Sequence, residues 1–273
     1  MPDAARPLLL VGGGKMGEAL LAGWLHQGLP PEAVNIVEPD AGRRRHLEQL
    51  HGIRTVPQAA ELPDGFAPGT VLLAVKPQMM DAVLPELVRL VAPDTLVLSI
   101  AAGRSIAGFE EAFGAERGVV RAMPNTPAAV GRGVTALCAN ASASAEQRAL
   151  AEQLMAAVGR VHWIDDEDLM HAVTAVSGSG PAYVFHMIEA LAAAGARAGL
   201  PEQLAMELAR GTVVGAGELA YQSPDSAAQL RINVTSPGGT TAAALQVLTA
   251  DDGIGPVLER AVAAAAQRSR ELA

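Results

Sequence analysis

A short apolar run, Leu8-Leu9-Leu10-Val11, passes straight into Gly12-Gly13-Gly14-Lys15-Met16-Gly17 and then into the helix formers Glu18, Ala19, Leu20 and Leu21. The spacing G-x-G-x-x-G between a strand and a helix restricts the fold more than any other feature of the chain. Gly12 permits a tight turn, Gly14 lets a pyrophosphate approach the backbone, and Gly17 lets the helix pack closely on the strand. A phosphate placed there meets unpaired backbone N–H groups at the positive end of the helix dipole. The alternative is a purely structural glycine turn, and the strand-to-helix context favours dinucleotide binding. Glu38 follows Gly17 by about 20 residues, the spacing at which an acidic side chain accepts hydrogen bonds from the adenosine ribose hydroxyls. A carboxylate at this point repels a 2'-phosphate and leans the cofactor toward NAD(H). Arg43, Arg44 and Arg45 come soon after, and they read as a solvated helix face more readily than as phosphate ligands.

The first half alternates strand and helix signals in the manner of a parallel sheet. Residues 8–11, 34–37, 70–75, 95–100, 119–122 and 134–138 are the clear candidate strands, and 53–56 and 160–164 are weaker ones. Residues 15–27, 40–50, 79–90 and 144–158 carry helical spacing between turn formers. Past Trp163 the strand signals stop, and alanine- and leucine-rich segments are broken only by Gly and Pro. The expected architecture is α/β: a Rossmann-type doubly wound sheet over residues 1–163, then an all-helical domain over 164–273. A helix starts near Pro181, with an apolar face of Val184, Met187, Ile188, Leu191 and Ala194 and with small neighbours that allow close helix packing.

Composition narrows the partners. A formal charge of -9 excludes nucleic acid and an anionic membrane surface, because both need a positive field. Aromatic residues are 3% of the chain, too few for base-stacking platforms. Cys138 is the single cysteine, so no internal disulfide and no multi-cysteine metal site forms, and its apolar surroundings read as core. No signal peptide and no spanning segment is apparent, and the expectation is a soluble cytoplasmic protein. Asp165, Asp166, Glu167 and Asp168, with His171 nearby, read as a solvated helix N-terminus rather than a metal site. The helical half carries 6 basic against 13 acidic residues and no lysine, so any anion there must be held by local donors.

Two segments of that half could hold an anionic substrate. Thr235-Ser236-Pro237-Gly238-Gly239-Thr240-Thr241 places hydroxyls and bare glycine backbone before a strong helix former, and such a nest of N–H donors can bind a carboxylate without arginine. Ser177-Gly178-Ser179-Gly180-Pro181 repeats the pattern at another expected helix start. Plain helix capping accounts for either segment alone about as well; the pair together points to an anion site.

The chain resembles the pyrroline-5-carboxylate reductases over nearly its full length. The resemblance is carried by residues 11–17, Ala74-Val75-Lys76-Pro77-Gln78, Ser99-Ile100-Ala101-Ala102-Gly103, Arg121-Ala122-Met123-Pro124-Asn125-Thr126-Pro127, residues 175–183 and residues 234–241, in the family's order. It implies NAD(P)H-dependent reduction of a small anionic cyclic imine to proline, with the helical domain joining a second subunit in a homodimer or a ring of dimers. By resemblance, Gly12, Gly14, Lys15, Met16 and Gly17 lie at the pyrophosphate, and Val75, Lys76, Pro77, Ala101 and Ala102 surround the nicotinamide-side ribose. Asn125 supports the nicotinamide pocket, and Ser177 contributes to substrate binding. The Thr241 hydroxyl meets the ring nitrogen, while Ser236 and the backbone of Gly238, Gly239 and Thr240 hold the carboxylate.

The sequence departs from the family at the adenosine end. Val56-Pro57-Gln58-Ala59-Ala60 lacks the asparagine often found there, the 61–69 loop is expanded, and Glu38 stands where phosphate-accepting relatives carry a small hydroxyl residue. A protonated imine is already electrophilic, so the reaction asks mainly for positioning, and neither Lys76, His171 nor His186 is needed as a proton donor. A β-hydroxyacid dehydrogenase, a broader imine reductase and a non-catalytic dinucleotide sensor are the competing readings. The first would need a lysine on the glycine-rich helix after Val176, which is absent, and the Ser236–Thr241 nest argues against the others.

Overall fold

The apolar runs of the first half become strands buried on both faces, which is why they lack a polar alternation. The computed structural model describes residues 2–3 and 5–273. Strands β1 (Leu8–Val11), β2 (Val34–Val37), β3 (Arg54–Val56), β4 (Thr70–Leu73), β5 (Leu96–Ser99), β6 (Val119–Met123), β7 (Gly133–Ala139) and β8 (Gly159–Trp163) form one sheet in the order β3-β2-β1-β4-β5-β6-β7-β8. All neighbours are parallel except β6 and β7. Helices α1 (Lys15–His26), α2 (Ala41–His51), α3 (Met80–Leu87), α4 (Ile106–Phe113) and α5 (Ala145–Ala156) lie among the strands in sequence.

Alternate residues of one strand feed two cores. Leu8 and Leu10 join Trp24 and Leu154 on one face, and Leu9 and Val11 join Leu87 and Phe109 on the other. The Trp24 indole N–H donates to the Leu154 carbonyl at 2.8 Å, which ties α1 to α5 without leaving a buried donor unpaired. The strand order reverses between β1 and β4, so a crevice opens outside the carboxyl ends of these strands.

The expected strands are all present, and the differences lie in the helices. Helix α4 was not anticipated, because eight residues containing Gly108 give too little periodicity. The helix expected over 79–90 becomes α3 followed by a 3-10 turn at Val88–Leu90, with Pro85 inside α3 removing one backbone donor.

The chain divides into two compact units, Met1–Gly178 with Ala266–Ala273, and Ser179–Ala265. Residues 164–178 pack with the sheet: Met170, in helix α6 (Leu169–Val173), is fully buried in the second core. Glu167 is not the solvated acid expected from its sequence neighbours. Its Oε1 accepts from Arg121 Nη1 at 2.7 Å and from the Ile106 N–H at 2.9 Å, so it pairs a buried guanidinium and caps α4 at once. His171 Nδ1 lies 3.0 Å from Ser269 Oγ. Cys138 is buried, and burial, followed by the Glu167 charge, pushes its thiol pKa up, away from nucleophile chemistry.

The second unit holds α7 (Gly180–Arg197), α8 (Glu202–Gln222), α9 (Ala227–Asn233), α10 (Thr240–Leu248) and most of α11 (Ile254–Glu271). Helices α7 and α8 meet through small residues: Ala192, Ala205 and Ala209 are buried, and a Cβ on Gly195 would stand 3.4 Å from Ala205 Cβ. The expected apolar face of α7 is exposed in the single chain at Val184, Met187 and Leu191, as are Val214, Leu219 and Val247 elsewhere in the unit. Among the described residues no helix is long and apolar enough to cross a membrane.

Arg121→Met leaves Glu167 partly buried without its cation and α4 capped by an uncompensated charge. The expected loss is about 3 kcal/mol of folding stability, read from the urea midpoint; an unchanged midpoint contradicts the role given to this pair.

Candidate functional site

The glycine-rich turn has the geometry its spacing implies, and the three motif glycines do three different things. Gly12 has φ +100°, and a Cβ there would lie 2.8 Å from the Ala74 carbonyl oxygen, so both conformation and space require glycine. A Cβ on Gly17 would lie 2.4 Å from the Gly12 carbonyl oxygen, so the first turn of α1 rests directly on the end of β1. Gly14 is the contrast: no heavy atom stands within 4 Å of where its Cβ would be. It is the N-cap of α1, in extended conformation, and no side chain caps the helix. The amides of the first turn therefore face open space, which fits the pyrophosphate of a dinucleotide.

Glu38, just beyond β2, is 9% exposed, and both its oxygens are engaged: Oε2 accepts from the Gly13 N–H and Oε1 from the Asp40 N–H, each at 2.9 Å. Each oxygen retains a lone pair for a ribose hydroxyl. Two of the three arginines are not a solvated face. Arg43 Nε donates to the Gly13 carbonyl at 2.5 Å, and its Nη2 binds Glu18. Arg44 Nη1 donates to the carbonyls of Glu38 and Pro39, both at 2.8 Å. Arg45 is exposed. Burial raises the Glu18 carboxyl pKa, but hydrogen bonds from His46 and Arg43 outweigh it and hold the group below the usual carboxylate range, so it remains an anion for Arg43.

The turns after β4 and β5 are neighbours on one side of the switch point. Ala74 N–H donates to Val11 O at 2.8 Å, which puts the start of Ala74-Val75-Lys76-Pro77 over the glycine turn. Ala101 N–H donates to Ser99 Oγ at 3.2 Å, and Gly103 has φ +72°. Lys15 and Lys76 are the only lysines in the chain; both are exposed, one following the carboxyl end of β1 and the other that of β4.

Asn125, after β6, is 9% exposed and fully committed: Oδ1 accepts from the Val134 N–H at 2.9 Å, while Nδ2 donates to Ser177 O and Ser177 Oγ at 3.2 Å each. The two residues carried over from separate motifs thus meet. Helix α7 begins at Gly180 with Pro181 in its first turn, as expected, but the Ser177 segment leading into it is already helical. Residues Thr174–Gly178 form a π-helical turn between α6 and α7, and Ser179 already has helical backbone angles. The segment therefore offers no free row of N-terminal amides, though π turns are frequent at functional positions.

In the second unit, Gly238 has φ +72° and Gly239 N–H donates to Ser236 O at 3.0 Å. Pro237 then Gly238 at the centre gives the residue pattern of a type II turn. Gly239 caps α10 in extended conformation with no side-chain hydrogen bond, so the amides of Thr240, Thr241 and Ala242 are left for a ligand or water. Ser236 and Thr240 are exposed and Thr241 is half-buried.

The two kinds of glycine predict opposite outcomes. Gly14→Ala keeps the wild-type melting temperature and weakens dinucleotide binding about tenfold or more in a titration, whereas Gly17→Ala destabilises the fold itself. A Gly14→Ala protein that binds dinucleotide normally contradicts the assignment of this turn.

Residues 167–272 match the family model for pyrroline-5-carboxylate reductase dimerisation, and residues 8–103 match that for NADP oxidoreductase, coenzyme F420-dependent. The pyrroline-5-carboxylate reductase of Pseudomonas aeruginosa is 42% identical over 266 residues, covering 97% of this chain and 96% of that protein. The solved pyrroline-5-carboxylate reductase of Coxiella burnetii superposes with a TM-score of 0.92 at 35% identity, covering 98% of both chains. The pyrroline carboxylate reductase of Plasmodium falciparum, solved with NADP bound, superposes with a TM-score of 0.82 at 30% identity, covering 98% of both chains. With a nicotinamide-dinucleotide domain of this geometry and relatives of this identity along its whole length, the chain belongs to the pyrroline-5-carboxylate reductase family.

Proposed function

We propose that this protein reduces 1-pyrroline-5-carboxylate to L-proline with NAD(P)H, the last step of proline biosynthesis. The observation that carries the reading is the uncapped start of α10 behind the Ser236–Gly239 turn, in a chain of this family. A five-membered imine with a carboxylate needs one anion site and one group at its nitrogen. The Thr240 amide, the Gly238–Gly239 backbone turn that presents it and the Ser236 hydroxyl form the carboxylate site. Thr241 is the catalytic residue, orienting the ring nitrogen through its hydroxyl, and Ser177 adds a contact to the substrate.

The reduced nicotinamide supplies a hydride to the imine carbon. The C=N electron pair then resides on nitrogen, whose proton comes from the iminium form of the substrate or from solvent. The chain's own task is to hold the reacting atoms in register. His171 is bound to Ser269 and His186 lies 3.3 Å from Glu189, which supports leaving both outside proton transfer. Gly12, Gly14, Lys15, Met16 and Gly17 hold the pyrophosphate, and Val75, Lys76, Pro77, Ala101 and Ala102 the nicotinamide-side ribose. Asn125 acts on that pocket through its bonds to Ser177 and Val134.

NADH is the preferred cofactor in this reading, with Glu38 receiving the ribose hydroxyls and opposing a 2'-phosphate. Residues 1–163 serve the dinucleotide, and residues 164–273 serve substrate binding and association. The exposed apolar side chains of α7 and α8 support a homodimer, alone or in a ring of dimers, at work in the cytoplasm.

Oxidation of NAD(P)H on addition of pyrroline-5-carboxylate, with proline as product, tests the reaction; no turnover with either cofactor refutes it. Thr241→Ala is expected to lower kcat/KM for the imine about a hundredfold while dinucleotide affinity stays within about twofold. Wild-type kinetics in this variant remove Thr241 from the mechanism. Glu38→Ser is expected to shift the NADPH-to-NADH ratio of kcat/KM upward about tenfold, and a constant ratio shows that Glu38 does not read the ribose.

A further inference from the structure

We propose that Arg104 is a positioning residue for the nicotinamide half of the cofactor, fastening the turn after β4 to the turn after β5. Its Nη2 donates to the Pro77 carbonyl at 3.1 Å and its Nη1 to Asp81 Oδ1 at 2.7 Å. Strands β4 and β5 pair up to Leu73 and Ser99, and the Ile100 N–H to Leu73 O bond at 3.0 Å continues the ladder by one residue. Beyond that point the two backbones separate into the turns that carry Val75, Lys76 and Pro77 on one side and Ala101 and Ala102 on the other. Arg104 supplies the connection further out.

The geometry suits arginine. A planar guanidinium presents parallel donors that reach a carbonyl and a carboxylate together, which a lysine ammonium does not reproduce. The Arg104 side chain is 31% exposed and its bond to the Pro77 carbonyl is partly buried, whereas its pair with the exposed Asp81 faces water. The hydrogen bond from Arg104 lowers the Asp81 carboxyl pKa, so the acid stays charged. The rest of the β5 turn is fixed from other directions. Ser99 Oγ accepts from the Ala101 N–H, Glu167 accepts from the Ile106 N–H, and a Cβ on Gly103 would stand 2.7 Å from the Leu272 carbonyl oxygen. The β5 turn is thus an anchored body, and Arg104 is the arm by which it holds the β4 turn at Pro77, next to Lys76.

This inference rests on the reading that these two turns surround the nicotinamide-side ribose. The test uses the full-length wild type, Arg104→Met, Arg104→Lys and Ala102→Asp, each titrated with NADH and with ADP, which lacks the second ribose and the nicotinamide. Steady-state kinetics at saturating imine accompany the titrations. Arg104→Met is expected to raise Kd and KM for NADH about tenfold with a smaller fall in kcat, and to leave ADP binding unchanged. Arg104→Lys is expected to recover part of the loss. Ala102→Asp is expected to abolish NADH binding at the same concentrations. Wild-type NADH affinity in Arg104→Met beside a defective Ala102→Asp overturns the role of Arg104 alone. Equal weakening of NADH and ADP in Arg104→Met overturns it too, since that is general loosening of the domain. Wild-type NADH affinity in Ala102→Asp refutes the underlying placement of the ribose and the inference with it.

Discussion

The site depends on one steric fact: the first turn of α1 rests on the end of β1 with no side chain between them. A single carbon added at Gly17 would come within 2.4 Å of the Gly12 carbonyl oxygen. From the same turn, Gly12 lies against the Ala74 carbonyl of the β4 side, and Gly13 binds Glu38 of the β2 side through its N–H and Arg43 through its carbonyl. One turn without side chains thereby registers three strand ends and two helices. The amides around Gly14 are left as the open part of an otherwise tightly bonded structure.

Charge in this chain is used to hold backbone more than to hold ligand. With a net charge of -9, an anionic substrate and an anionic cofactor both approach against the overall field. Arg43, Arg44 and Arg104 each donate to main-chain carbonyls, and Arg121 of β6 is buried and paired with Glu167. In the proposed reading the anion-facing donors are backbone N–H groups at the starts of α1 and α10, neither capped by a side chain. Such donors carry no net charge, are fixed by the helix that follows and lose no side-chain entropy when a ligand arrives. The scarcity of aromatic residues suits such a construction.

The sequence made the sheet legible because parallel strands buried on both faces are continuous apolar runs, and β1, β2 and β4 start where such runs start. The glycine turn and the helix entry before α10 were legible because glycine spacing and the helix formers that follow state the backbone conformation directly. The arginines after Glu38 were not, since the same residues read as solvated until Gly13, Glu38 and Pro39 are seen to present their carbonyls to them. Glu167 was hidden inside an acidic run that looks like ordinary solvated charge; only the fold brings Arg121 and Ile106 to it across 46 and 61 residues. Arg104 carried no motif at all. Glycine and proline marked the start of α7 at Gly180, with Pro181 in its first turn, but nothing marked the π-helical turn at Thr174–Gly178 that carries Ser177 into it.

The central claim is that uncharged backbone and hydroxyl donors at the start of α10 bind the substrate through its carboxylate. The most direct measurement compares kcat/KM for pyrroline-5-carboxylate with that for 1-pyrroline, the same ring without the carboxylate, in one preparation with one cofactor. Loss of a well-placed anion contact corresponds to a decrease of about a hundredfold or more for 1-pyrroline. Comparable kcat/KM values for the two rings would contradict the account, because the Ser236–Thr241 segment would then contribute nothing to recognition.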